Sequence, residues 1–372
     1  MKAYIIYERL FDSQGEFLLV GGIETYLMSL AKVFLYNGIQ PEIIQKASKN
    51  FDKTIDSIRI RGFKVTGSTY KNLYKSISTE IKESDFVVWG LDRCAVPIPH
   101  ERTISIQHGI PFDYYQIEMK SRQIFDKLGL GRLLKSIQRR NAIKAFEVAK
   151  YKVCVDYNFW NWYRTFCMPK DEDNIYVVPN FASVEGCPNL NHEHEVLKVV
   201  FARRFVRMRG VELMLKVVDH YKGNKNIHFT FAGEGPYLSQ IEELKTKYGN
   251  VSITKYSPGE AIKFHRQFDV AIVPSVASEG TSLSLLEAMS AGNAVISTCV
   301  GGMTNIIMDG YNGVFVRPNN ANDIIESIDK LMCNRKLLCE IATNGYNTVC
   351  NAFSFDLWAS RWTLIIKEIA SK

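Results

Sequence analysis

Short apolar runs alternate with segments of helical periodicity along most of the chain. The apolar runs are rich in Val, Ile and Phe, which favour strands. In the first half they predict strands at 3–7, 63–66, 86–89, 103–106, 152–155 and 175–178. In the second half they predict strands at 197–202, 227–232, 251–256, 270–273, 294–298 and 314–316. Apolar residues at helical spacing predict helices between them, among others at 25–36, 211–221, 238–248, 283–290 and 322–333.

This alternation of strand and helix predicts an α/β protein with parallel sheets that are covered by helices on both faces. Two such sets indicate two doubly wound, Rossmann-like domains. Residues 182–195 form the most polar interval and contain Pro188, so we place the boundary there. The predicted domains are 1–181 and 182–354, followed by an amphipathic helix within 355–372.

The charge of the chain is concentrated in one stretch. With 46 basic and 39 acidic residues among 372, the net charge is +7, whereas residues 120–152 alone hold ten basic and two acidic residues, a net +8. The rest is close to neutral, which favours one anion-facing patch over a general coat for nucleic acid. Within the patch, apolar residues between 130 and 146 predict a helix with a basic face. It is either an ordinary surface helix or one that faces an anionic membrane or an acidic acceptor, with nucleic acid as a third alternative.

No run of about 18 apolar residues occurs, and the first apolar run ends too early for a signal peptide. The eight cysteines include no C-x-x-C pair. We therefore expect a cytoplasmic protein without disulfides, zinc or a membrane span.

The segment Glu279–Glu287 carries the strongest chemical signal. It follows a predicted strand and opens a helix with Thr281 or Ser282 as N-cap, so the amides of Gly280, Thr281, Ser282 and Leu283 form an anion site. A carboxylate beside a phosphate site is useful if it holds sugar hydroxyls. The alternative is a capped helix with two solvated glutamates.

A second signal is the run of arginines after the strand 197–202. Arg204 and Arg209 could converge from the strand end and the following loop, and guanidinium groups suit the oxygens of a diphosphate. A surface cluster is the alternative interpretation.

Several weaker features follow other strands. Gly21 and Gly22 open a helix, and Gly233 and Gly235 form a second strand-to-helix turn, although neither pair completes a dinucleotide fingerprint. His108 ends the strand 103–106 and could reach an interdomain cleft. His192, His194 and the acidic run 171–173 are interpreted as solvated.

Together these residues resemble the family 4 retaining glycosyltransferases of the GT-B fold. The motifs are Gly21-Gly22, Arg204 with Arg209-Gly210, Gly233-Glu-Gly235-Pro236, the Glu279–Glu287 pair and Gly301-Gly302. The resemblance implies two domains that face across a cleft, with residues 355–372 crossing back to the N-terminal domain. Three departures stand out: Arg203 where glycine is usual, Gly280-Thr-Ser282 for Gly-Phe-Gly, and Asn305 where an acid is usual.

The resemblance also implies roles for particular residues. Arg204 and Arg209 would bind the donor diphosphate together with the amides of 280–283, Glu287 would hold the nucleotide ribose, and Glu279 would contact the donor sugar. His108 would reach that sugar from the N-terminal domain. Gly21 and Gly22 would line the diphosphate and acceptor side, and Gly233 and Gly235 the nucleotide pocket.

The implied reaction moves a hexose with retention from a nucleotide-diphosphate sugar, such as UDP-glucose, to a lipid-linked saccharide. We expect an O-antigen or capsule enzyme, peripheral on the inner face of the bacterial cytoplasmic membrane, that needs no cofactor, metal or nucleic acid. Two alternatives stay open: a nucleotide-sugar epimerase or hydrolase of the same fold, and a non-catalytic nucleic-acid-binding protein that uses the 120–152 patch.

Overall fold

The computed structural model describes residues 1–19, 21–67, 69–110, 112, 124–125, 127–168, 174–188, 190–192 and 195–372. The chain forms two compact units. The first contains residues 1–108, 115–179 and 358–372, and the second contains residues 109–114 and 180–357. Each is built on its own sheet, and the predicted α/β class is confirmed.

The first unit contains an eight-stranded sheet with the order β3-β4-β2-β1-β5-β6-β7-β8. Its strands are β1 (Lys2–Ile6), β2 (Gln40–Ala47), β3 (Phe51–Ile55), β4 (Ile58–Lys64), β5 (Phe86–Trp89), β6 (Thr103–Gln107), β7 (Tyr151–Cys154) and β8 (Ile175–Val177). Only the β3–β4 pair is antiparallel among the pairs described. Its helices are α1 (Gly22–Tyr36), α2 (Thr69–Ile77), α3 (Gly131–Phe146) and α4 (Tyr157–Arg164).

Strand β2 lies inside this sheet, although the apolar pattern did not predict it. Its Glu42 is buried and forms ion pairs with Lys2 Nζ at 2.6 Å and Arg61 Nη1 at 3.1 Å. These cations come from β1 and β4, so the buried charge is matched by residues distant in sequence. Strand β4 likewise begins at Ile58, earlier than the predicted strand 63–66.

The second unit contains a six-stranded, parallel sheet with the order β11-β10-β9-β12-β13-β14. Its strands are β9 (Leu197–Ala202), β10 (Ile227–Ala232), β11 (Val251–Thr254), β12 (Val270–Val273), β13 (Ala294–Thr298) and β14 (Val314–Val316). Its helices are α5 (Val211–His220), α6 (Leu238–Lys247), α7 (Ala261–His265), α8 (Leu283–Ser290), α9 (Ala321–Cys333) and α10 (Arg335–Ala352), and α11 (Phe355–Ser371) ends the chain. The chain runs outward from β9 to β11 and then returns to β12, so the topological switch point lies between β9 and β12.

Both faces of the second sheet are buried by helices. Alternate residues of β9 divide between the faces: Val199 and Phe201 belong to the core on one side, and Val200 and Ala202 to the core on the other. This explains the continuous apolar runs in the sequence. The carboxyl ends of the strands are left to the loops, which carry the polar residues described below.

One prediction for the polar interval after residue 182, that of a solvated His192, is wrong. His192 is fully buried, not solvated, with Nδ1 3.0 Å from Asp269 Oδ1 and Nε2 3.0 Å from the Gly292 carbonyl oxygen. It fixes the interval to the amino end of β12. His194 and residues 171–173 lie outside the described residues.

Helix α3 confirms the predicted basic helix, although residues 120 and 122 of the basic stretch lie outside the described ranges. Its only fully buried side chain is Phe146, whereas Leu133 and Ile137 are 53% and 43% exposed. Arg132, Arg139 and Arg140 are exposed beside them. Among the described helices, none combines the length and apolar content required to cross a membrane.

Candidate functional site

The candidate site lies at the switch point of the second sheet. Arg203 follows the carboxyl end of β9, and Ser275 and Glu279 follow that of β12. Because β9 and β12 are parallel neighbours, their following loops emerge side by side. Strand order therefore brings together residues that are more than 70 positions apart.

Glu279 is the centre of a buried ion-pair network. Arg203 Nη2 donates to both carboxylate oxygens at 2.7 Å, and Arg209 Nη1 forms a second ion pair with Oε2. Ser275 Oγ donates to Oε1 and accepts a hydrogen bond from Arg203 Nη1. The side chains of Arg203 and Glu279 are 5% and 11% exposed, and that of Arg209 is 32% exposed.

Electrostatics keep Glu279 ionised. Burial alone would raise the pKa of Glu279, but the charges of Arg203 and Arg209 outweigh it and lower that pKa to about 2. With two guanidinium groups and one carboxylate, the network carries one surplus positive charge. Arg209 is its most accessible member and is therefore the group that an incoming anion would meet first.

The structure distributes the arginines differently from the sequence prediction. Arg209, in the 3-10 turn Arg207–Arg209, forms an ion pair with Glu279, whereas Arg204 is exposed. The pKa of Glu234 is lowered mainly by its hydrogen bond to Lys255 and to a smaller extent by the charge of Arg204. Arg203, which sequence analysis noted only as a departure from the glycine usual there, occupies the buried position. Ser275 was missed as well. In the sequence, Arg203 and Ser275 look like an ordinary strand end and an ordinary loop residue, because their contacts include residues distant in sequence.

Glycines allow the two loops to approach each other. Gly210 has φ +81°, and a Cβ atom there would lie 1.9 Å from the Pro274 carbonyl oxygen. A Cβ on Gly233 or Gly235 would collide with the carbonyl oxygen of Arg203 or Phe205. The two glycines predicted to line the nucleotide pocket therefore pack directly against the backbone of Arg203 and Phe205.

The Glu279 loop is supported in the same way by Gly301 and Gly302. The Gly302 amide donates to the Glu279 carbonyl oxygen at 2.8 Å, and a Cβ on Gly301 would lie 2.3 Å from that oxygen. Thr281 O accepts a hydrogen bond from Asn180 Nδ2 at 2.6 Å. The backbone of this loop is thus held by hydrogen bonds at two points, the carbonyl oxygens of Glu279 and Thr281.

Helix α8 begins at Leu283, as predicted, with Ser282 at the N-cap position. The expected hydroxyl cap is not formed, because Ser282 Oγ lies 3.2 Å from Ser284 Oγ and does not accept from a backbone amide. Thr281 and Ser282 are buried, while Gly280 is partly exposed.

Glu287 lies in α8, four residues beyond Leu283, and differs sharply from Glu279. No described residue donates a hydrogen bond to its carboxylate, and burial raises the pKa of Glu287 to about 7. Its carboxylate oxygens can therefore accept hydrogen bonds from a ligand, such as a pair of vicinal hydroxyls.

The first unit holds the remaining predicted residues. Gly21 is the N-cap of α1 and Gly22 its first residue, and Glu24 in the first turn accepts a 2.8 Å hydrogen bond from the Tyr7 hydroxyl. His108 Nε2 lies 3.0 Å from the Gly90 carbonyl oxygen, and burial lowers the pKa of His108 to about 4. The ring is therefore neutral, with Nε2 as donor and Nδ1 as acceptor.

Residues 188–348 match the family model described as glycosyl transferases group 1. This range contains every residue of the Glu279 network. Residues 188–348 are similar to the group 1 glycosyltransferases. The resemblance found in the sequence is confirmed at this level, and so is the prediction of a glycosyltransferase.

Curated relatives extend the match. The chain is 34% identical to an uncharacterized glycosyltransferase of Methanocaldococcus jannaschii over 39% of this chain and 41% of that protein. A second uncharacterized glycosyltransferase of that organism is 24% identical over 84% of this chain and 80% of its own length. The lipopolysaccharide 1,2-N-acetylglucosaminetransferase of Salmonella typhimurium is 25% identical over 46% of this chain and 49% of its own length. The chain thus spans less than half the length of two of these three relatives.

Solved structures share the fold of the whole chain. A sucrose-phosphate synthase from Thermosynechococcus elongatus superposes with a TM-score of 0.76 at 15% identity, covering 100% of this chain and 99% of that one. Anabaena HepE in complex with UDP gives 0.74 at 13% identity, covering 99% and 100%. At this identity the likeness shows the fold alone, and it confirms the predicted GT-B fold.

Proposed function

We propose that the protein transfers a hexose, with retention of anomeric configuration, from a UDP-hexose such as UDP-glucose to a hydroxyl of a lipid-linked saccharide. The observation that carries this proposal is the Glu279 network, with its one surplus positive charge at the switch point. The UDP bound to the structurally similar Anabaena HepE supports the choice of nucleotide.

The donor diphosphate would bind to Arg209 and to the amides at the start of α8. Arg209 is the exposed member of the network, and a guanidinium can bind two phosphate oxygens at once. Arg204 would add charge from its exposed position near the same strand end. These groups would stabilise the charge that develops on the leaving diphosphate.

The two glutamates would hold the sugars on either side of the diphosphate. Glu287 has unused acceptor capacity and would take the ribose hydroxyls. Glu279 would accept from a hydroxyl of the donor hexose. In the first unit, the resemblance assigns His108 to the donor sugar, where its Nδ1 would be the acceptor because Nε2 already donates to Gly90.

The mechanism we propose is front-face transfer. Glu279 is poorly suited as a covalent nucleophile because its carboxylate is fully engaged and strongly stabilised as an anion. The diphosphate would leave first, an oxocarbenium-like ion would form, and the acceptor hydroxyl would attack the same face while a phosphate oxygen takes its proton. The protein would supply position and charge.

Helix α3 would bind the protein to the anionic inner surface of the cytoplasmic membrane, where the lipid-linked acceptor would lie. Its exposed Leu133 and Ile137 lie on a helix with exposed Arg132, Arg139 and Arg140. An interfacial helix inserts an apolar face into the membrane surface and carries Lys and Arg on its polar face, and α3 has exposed residues of both kinds. The Salmonella relative, named for lipopolysaccharide, supports a role in O-antigen or capsule synthesis.

Calorimetry with UDP, followed by incubation of labelled UDP-glucose with a lipid-linked saccharide, tests this proposal. We expect UDP binding and an acceptor-dependent product whose anomeric configuration, read by NMR, matches that of the donor. Sugar release or epimerisation from the donor alone would identify an epimerase or hydrolase instead. Binding of RNA with steep salt dependence and no affinity for UDP would identify a nucleic-acid-binding protein.

A further inference from the structure

Arg203 is the least exposed charged residue of the Glu279 network, and the proposed chemistry assigns it no task. Both of its terminal nitrogens are used internally: Nη2 binds the two oxygens of Glu279 at 2.7 Å, and Nη1 binds Ser275 Oγ. Ser275 is fixed in turn, because its carbonyl oxygen accepts a 2.6 Å hydrogen bond from Thr298 Oγ1. Arg203, Ser275 and Glu279 thus form a closed ring of hydrogen bonds.

The four acceptor positions of the Glu279 carboxylate are all occupied. An ionised carboxylate has about four lone-pair sites. Arg203 takes two, Ser275 takes one on Oε1, and Arg209 takes one on Oε2. A sugar hydroxyl can bind Glu279 only after one donor leaves.

Arg209 is the donor that can leave. It stands on a 3-10 turn and is 32% exposed, whereas Arg203 is 5% exposed and has its end groups committed. If Arg209 turned to a phosphate, Glu279 would keep Arg203 as its counterion and would gain one open position on Oε2. Without Arg203, Glu279 and the phosphate would compete for the same guanidinium.

We infer that Arg203 is a positioning residue, which serves as the permanent counterion of Glu279 and thereby frees Arg209 for the donor diphosphate. The same exchange would open Glu279 to the donor sugar, so diphosphate binding would prepare the sugar subsite. This inference rests on the proposed function and assigns Arg203 no direct contact with the donor.

A cycle of substitutions tests it through the dissociation constant for UDP, measured by calorimetry. Arg203→Ala should weaken UDP binding about tenfold or more, because Glu279 then retains Arg209. Glu279→Gln alone should change the affinity less than about threefold. Arg203→Ala in the Glu279→Gln background should then have no effect, because no carboxylate remains to compete.

Two further variants sharpen the test. Arg203→Lys keeps the charge and should retain most of the affinity. Arg207→Ala is the matched control, since Arg207 lies on the same 3-10 turn and pairs with Glu212 at 3.3 Å instead of Glu279. Thermal unfolding identifies any variant that fails to fold. If Arg203→Ala is one of them, Arg203→Gln replaces it in both backgrounds and the same comparison applies.

The outcomes separate this inference from the proposed function. If Arg203→Ala weakens UDP binding equally in both backgrounds, Arg203 contacts the ligand or only supports the fold, and the inference is wrong. Unchanged affinity in Arg203→Ala would also overturn it. If the unmodified protein does not bind UDP, the proposed function itself fails.

Discussion

The protein has two cationic regions that solve different problems with the same residue types. In the second unit, Arg203 and Arg209 share the buried carboxylate of Glu279. In the first unit, Arg132, Arg139 and Arg140 lie exposed along helix α3. A fixed, buried network can recognise one anion in one geometry, whereas charges on an exposed helix respond to the density of negative charge.

The two regions should therefore differ in their response to salt. Exposed charges are screened over roughly 8 Å at physiological ionic strength, but buried pairs are screened much less. Membrane binding through α3 should fall steeply as salt is added, while UDP affinity should fall only modestly. Each substitution below challenges one side of this contrast.

Neutralising Arg132, Lys135, Arg139 and Arg140 to Gln should have the largest effect. Each basic residue near an anionic surface contributes up to about 1 kcal/mol, so the variant should lose up to about 4 kcal/mol of binding to phosphatidylglycerol vesicles in a sedimentation assay. The matched control neutralises Lys222, Lys225, Lys245 and Lys247, which are exposed on the second unit. Equal losses in both variants would show that net charge, and not α3, drives binding.

Glu279→Ala should reduce the rate of sugar transfer about 100-fold through the loss of donor positioning, while UDP affinity changes only a few-fold. Transfer is measured with labelled UDP-glucose and affinity by calorimetry. A parallel loss of both would place Glu279 on the nucleotide.

Arg209→Ala should weaken UDP binding by about 1.5–3 kcal/mol, because it removes a charge-assisted interaction with the diphosphate. Arg207→Ala, on the same turn, should cost less than about 0.5 kcal/mol. Unchanged affinity in Arg209→Ala would remove the diphosphate from this network.

Glu287→Gln should stabilise the protein by up to about 3 kcal/mol at pH 8. Burial raises the pKa of Glu287 to about 7, so the folded state is favoured while this carboxyl is protonated. That stability is complete below the ordinary pKa of about 4.5 and is lost as the pH rises through about 7. Thermal unfolding at pH 4 and pH 8 should show a difference between variant and unmodified protein only at the higher pH.

Glu279 has the opposite sign, which sharpens the contrast within the site. Its pKa is lowered to about 2, so its stabilising contribution is present at neutral pH and is lost only as the pH falls from about 4.5 toward 2. Glu279→Gln should therefore show its largest effect on unfolding at neutral pH. If the effect of Glu279→Gln on unfolding were instead larger at acid pH than at neutral pH, the ion pairs with Arg203 and Arg209 would not hold in solution.

The fold could be predicted from the sequence wherever burial is continuous. Strands β9, β10, β12, β13 and β14 coincide with their predicted ranges because every face is covered by helices, which leaves uninterrupted apolar runs. Strand β2 escaped prediction because Glu42 and Gln45 interrupt its pattern. Their partners come from β1, β4 and the loop at Leu10, so the physical reason for their burial is not local.

The candidate site shows the same division. The loop Glu279–Leu283 and the start of α8 could be predicted, because an apolar strand is followed there by a short polar loop and then by residues of helical periodicity. The pairing of Glu279 with Arg203 could not be predicted, because the sequence does not distinguish a buried arginine from an exposed one until the order of the strands is known. Position along the chain indicated Arg204, whose binding to the diphosphate stays a prediction, and the residue that pairs with Glu279 is its neighbour Arg203.

The closed ring of Arg203, Ser275 and Glu279 has a consequence for engineering and for evolution. Removing one member of a buried ion pair typically costs about 3–5 kcal/mol, whereas replacing both members together can be nearly neutral. A library that randomises position 203 or 279 alone should return mostly destabilised chains. Joint randomisation of the two positions should yield folded chains far more often, so the fold tolerates changes at this pair more readily together than singly.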